Sequence, residues 1–222
     1  MGIKYCCNGE KTLNDAYLGI ATSVEDVMRA LDHSAAGDRA PGPRFENKTF
    51  EFLILRALRN QHERVKEELP LLQGTAATVA DRYGTRHPEL TAIEELIQAL
   101  SLKLTTHLAE EEGTLFPALL ELELAYLGES SIVGYPKRVR NISESMSLQH
   151  DTSGVTLHQI WAESHNFIPP SDADSLFRKF YDDLQRFFGE LHRNFHMETN
   201  IHFPQAAPME AEIFRGSRLI RY

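Results

Sequence analysis

Apolar residues recur three and four apart through four long stretches of this 222-residue chain, roughly 47–83, 89–125, 139–166 and 172–203. That spacing follows the turn of an α-helix and lays one hydrophobic stripe down each segment. The breaks between the stretches are rich in turn residues: Tyr83-Gly84 to His87-Pro88, Leu127-Gly128 to Pro136, and Pro169-Pro170-Ser171-Asp172. Asp172 suits the N-cap of the last helix. Alternation of period two never persists, so no strands are expected. The fold class is therefore all-α. Four amphipathic helices of this length on short loops bury their stripes best as an up-down four-helix bundle.

The bundle is expected over residues 47–204, with a C-terminal tail at 205–222. Residues 1–34 read as a short helical appendage that opens on Tyr5-Cys6-Cys7-Asn8-Gly9, and 35–46, with the string AAGDRAPGPR, reads as a linker. The net charge of −9 argues against nucleic acid as a partner, since phosphate contacts need a Lys/Arg excess. No stretch approaches the ~20 apolar residues of a membrane span, and no signal-peptide pattern opens the chain. Cys6 and Cys7 are adjacent and cannot staple distant segments, which points to a reducing, cytoplasmic setting. A strained bridge between such neighbours is easily reduced, so they read either as a reactive dithiol or as an inert remnant.

Ten histidines stand against 23 Lys and Arg, and helical wheels sort them. His62 falls in the first stripe with Leu55, Leu58, Val65 and Leu69. The second stripe, Leu96, Leu100, Leu104 and Leu115, holds His107 and, one turn on, Glu111; Glu110 and Glu112 flank it as a solvated face would. His150 centres the third, between Met146 and Leu157. The fourth, Phe180, Leu184, Phe187, Leu191 and Phe195, holds Asn194 and Glu198, while His192 and His196 point away. Each helix thus sends a polar group into an apolar core. Two buried carboxylates need positive partners. A pair of metal ions supplies them, and imidazole plus carboxylate without thiolate suits iron, manganese or zinc.

These residues sit in strings that resemble the iron–sulfur cluster repair di-iron family, whose members carry a hemerythrin-like four-helix bundle. The strings are YCCNGEKTL at 5–13, QHERVKEELP at 61–70, HLAEEEGTLFP at 107–117, SMSLQHDTSG at 145–154 and METNIHFP at 197–204. They run in the family's order over nearly the whole chain. The resemblance implies non-haem iron, two per chain: His62, His107 and His150 as terminal ligands, Glu111 and Glu198 as bridging carboxylates. One iron would take His62 and His107, the other His150.

The resemblance also implies a non-enzymatic, cytoplasmic stress protein. Its expected task is repair of iron–sulfur clusters damaged by oxidative or nitrosative stress, as an iron donor to the damaged proteins. Nitric oxide, peroxide or oxygen would be small ligands, and family members often pair as homodimers. The alternative is a hemerythrin-like module that binds or senses oxygen or nitric oxide without repair. Three departures matter. The family's histidine four residues before Glu198 is here Asn194, a weaker ligand, so the second iron is expected to be held less tightly. Gln149 replaces a frequent glutamate beside His150, and the segment before Cys6 is short. His202 faces inward but lies ~12 Å along the axis from Asn194, making it a poor substitute.

Overall fold

The computed structural model describes residues 48–129 and 138–218, and no strand occurs among them. The expected appendage and linker at 1–46, with Cys6 and Cys7, lie outside the described residues. Four helical rods follow. The first is α1 (Phe50–Ala57), a π turn (Leu58–His62) and α2 (Glu63–Tyr83). The second is α3 (Glu89–Glu110), a π turn (Glu111–Leu115) and α4 (Phe116–Tyr126). The third is α5 (Arg138–Glu163). The fourth is α6 (Ser175–Met197), a π turn (Glu198–His202) and α7 (Phe203–Arg218). The architecture is the predicted all-α bundle, and none of its helices is long and apolar enough to cross a membrane.

Helix starts leave backbone N–H groups without partners, and carboxylates accept them here. Glu123 of α4 accepts from the N–H of Phe50 at 2.8 Å, and the buried Glu210 of α7 accepts from that of Val139 at 2.9 Å. The fourth rod is capped by Asp174, which accepts from the N–H groups of Leu176 and Phe177. Asp172, expected in that role, instead meets Nε2 of His87 at 3.2 Å.

One sequence expectation fails because of the π turn, which holds an extra residue. Upstream of Leu58–His62 the stripe is displaced by one position: Leu55 is 44% exposed, while Ile54 and Ala57 are buried in its stead. A uniform wheel cannot see that insertion. Within the stretch read as a tail, a π turn is likewise followed by helix: α7 carries the fourth rod on to Arg218 and buries Ala206. Phe-Pro does not end the helix there, nor in the second rod. Each proline follows a π turn, whose widened loop gives its ring the room a regular α turn denies it.

The apolar interior is split in two. One cluster runs from Val65 through Ile93, Ile97, Leu104 and Leu157 to Phe195. The other joins Phe50, Leu53, Leu115, Phe116, Met146 and Phe203. The inward histidines and glutamates fall in sequence between the two clusters on every rod, so they form a polar layer across the bundle.

Candidate metal centre

His62, His107, His150, Glu111 and Glu198 are all buried, none more than 3% exposed. Three of them stand at the edge of a π turn: His62 closes the first, Glu111 opens the second and Glu198 the third. π turns persist where a site needs a side chain re-aimed. His107, Glu111, His150 and Glu198 each offer a ligand atom, and these atoms lie within 4.8 Å of one another. His62 stands just outside that set, with Nε2 at 3.2 Å from Oε2 of Glu111, while Oε1 of the same carboxylate lies 3.6 Å from Nε2 of His107. One carboxylate therefore faces two imidazoles, one with each oxygen.

Nε2 of His107 also lies 3.1 Å from Nε2 of His150, and Glu198 Oε2 is 2.9 Å from the latter. Phe195 packs this pair, its ring stacked on His150 at 4.2 Å and edge-on to His107 at 5.9 Å.

Each histidine is aimed by a hydrogen bond at its other nitrogen. Glu112 Oε1 accepts from Nδ1 of His62 at 2.8 Å, Gln149 Oε1 from Nδ1 of His107 at 3.0 Å, and Thr199 Oγ1 pairs with Nδ1 of His150 at 3.1 Å. Gln149 is itself fixed, since its Nε2 donates to Glu110 at 2.7 Å. Such contacts commit Nδ1 and leave Nε2 for a metal. Glu110, Glu112 and Thr199 escaped the sequence reading, because wheel positions flanking a stripe look solvated. Their signal was adjacency: each neighbours a ligand or lies one residue from it, on a side that meets another rod.

The donors fit a metal on their own chemistry. Nε2 of His62, both oxygens of Glu111 and Oε2 of Glu198 are buried with no aligned hydrogen bond among the described residues. Burial and the Glu198 carboxylate push Glu111 well above the usual carboxylate range. Burial opposes ionisation of Glu198 too, but His107 and His150 hold its carboxyl far below that range. For His107 burial favours the neutral ring, yet Glu198 and Glu111 push it up to about 9. Without metal, protons on His107 and Glu111 balance the charge. Imidazole nitrogen and carboxylate oxygen in this mix are ligands for iron, manganese or zinc.

Of the remaining polar positions, Asn194 is half-buried. His202 is 5% exposed, and burial holds its ring below the ordinary value with Glu198 opposing. His192 packs against Phe188, and His196 accepts a contact from the Asn200 amide.

Comparison with known proteins agrees with this geometry. Residues 53–132 match the Hemerythrin HHE cation binding domain. A probable iron–sulfur cluster repair protein of Haemophilus influenzae is 26% identical over 207 residues, covering 91% of this chain and 86% of its own. The iron–sulfur cluster repair protein ScdA of Staphylococcus haemolyticus is 24% identical, covering 91% and 87%. The repair protein YtfE of Yersinia pseudotuberculosis is 25% identical, covering 92% and 86%. The chain is thus similar over residues 53–132 to a hemerythrin-type cation-binding domain and, along nine-tenths of its length, to iron–sulfur cluster repair proteins.

Proposed function

We propose that this protein takes part in the repair of iron–sulfur clusters damaged by oxidative or nitrosative stress, holding two irons and giving up the more weakly bound one. The observation that carries the reading is the buried layer of three imidazoles and two carboxylates with unsatisfied donor atoms, in a chain similar over most of its length to proteins named for that repair. Iron is then the cargo. His62 and His107 would hold one ion and His150 the other, with Glu111 and Glu198 in reach of both. Asn194, in place of an imidazole, would leave the ion at His150 with fewer strong donors.

The chain's own protons make release reversible. As iron leaves, Nε2 of His107 and the carboxyl of Glu111 take up protons, so the buried charge stays balanced. Gln149 and Thr199 keep the rings aimed meanwhile. Bound iron supplies the affinity for nitric oxide, peroxide or oxygen. A cytoplasmic setting, damaged iron–sulfur proteins as clients, homodimer pairing and a redox role for Cys6 and Cys7 belong to the same proposal.

The test is transfer. The iron-loaded chain is mixed with an iron–sulfur enzyme inactivated by peroxide, and recovery of activity is followed with iron counted on each protein. Recovery with loss of about one iron per donor chain supports the reading. A near-ultraviolet spectrum that responds to nitric oxide or oxygen, with no iron transferred, replaces it by the binding-and-sensing alternative. The same assay with Cys6→Ser and Cys7→Ser combined tells a working dithiol from an inert pair.

A further inference from the structure

We propose that Glu112 is a positioning residue that strengthens His62 as a donor; this rests on the two-metal reading above. The three inward histidines differ in what holds Nδ1. His107 has an amide oxygen and His150 a hydroxyl, both neutral. His62 alone has a carboxylate, at 2.8 Å. Glu111 and Glu112 are consecutive, and they grip one ring from both sides: Glu111 Oε2 lies 3.2 Å from Nε2, Glu112 Oε1 at Nδ1.

A carboxylate drawing on the Nδ1 proton raises electron density at Nε2 more than a neutral acceptor does. Lys66 Nζ draws on the same carboxylate from outside, reaching its two oxygens at 2.7 and 2.9 Å. Lys66 and Glu112 are also partly exposed, so the support reaches the surface while the ligand stays buried.

The experiment uses the full chain and ferrous iron alone. Unmodified protein, Glu112→Gln and Lys66→Met are titrated anaerobically, with iron counted after gel filtration and Mössbauer spectra taken on iron-57 samples. Glu112→Gln is expected to weaken one of two irons by about 10- to 100-fold and to alter one of two quadrupole doublets. Lys66→Met, which leaves the whole carboxylate charge to His62, does not weaken either iron. Circular dichroism and thermal unfolding of the metal-free variants match the unmodified chain. Affinities for both irons unchanged in Glu112→Gln overturn the assignment, as does equal weakening by both variants, which marks a merely structural role. An unmodified chain that binds no iron overturns the two-metal reading itself, a separate result.

Discussion

At the scale of single residues the site is governed by protons that stand where metal belongs. His107 binds its proton below about 9, against an ordinary 6.5, because Glu198 and Glu111 outweigh the burial that would lower it. Metal must displace that proton, so apparent affinity rises with pH as far as about 9 and levels off above. Isothermal titration in buffers of different ionisation enthalpy measures the release directly; binding without proton release contradicts this assignment. In the metal-free protein the sign is opposite for stability. A raised folded pKa stabilises fully below 6.5 and that contribution is lost as pH climbs through about 9, so the melting temperature falls across that window. Asn194→His restores an imidazole at the half-buried position one turn before Glu198 and is expected to retain, through gel filtration, the iron that the unmodified chain sheds. Unchanged iron content there means that position 194 does not reach the metal.

At the scale of elements, π turns and caps decide what each rod presents. The turns Leu58–His62, Glu111–Leu115 and Glu198–His202 each re-aim a ligand, and each changes the phase of everything on one side of it. Two of the caps come from other rods. Glu210 buried against the start of α5 accepts from Val139 N–H, and Glu210→Ala leaves that donor unsatisfied in the interior. The expected cost is about 1–3 kcal/mol, read as a lower urea midpoint with an unchanged slope. Iron stoichiometry is expected to stay the same, since the cap lies beyond the second apolar cluster from the metal layer. A lost iron would instead tie α7 to the site.

At the scale of the molecule, a polar layer interrupts an apolar core and is tolerated because metal resolves it. Ions that bind only the folded state stabilise by mass action, about 2.7 kcal/mol at a free concentration 100 times Kd. Chelation of the loaded protein is therefore expected to lower its melting temperature, and readdition of ferrous iron to restore it. A melting temperature indifferent to chelator would mean that metal is not bound between the rods.

The sequence by itself determined that the chain is all-α, that four amphipathic rods form a bundle, and that His62, His107, Glu111, His150 and Glu198 turn inward, because a period of 3.6 fixes which residues share a face. It also marked the departure at Asn194. Only the tertiary structure decided which groups lie against which histidine, since the neighbour of His107 depends on how Gln149 and His150 of another rod approach it. It alone revealed Glu112, Gln149 and Thr199 as supports, whose partners lie 42 to 50 residues away along the chain. The exposure of Leu55 and the run of α7 past Phe203-Pro204 were hidden for a related reason. A π turn adds one residue without leaving a mark in the hydrophobic pattern, and only packing against the other rods selects it.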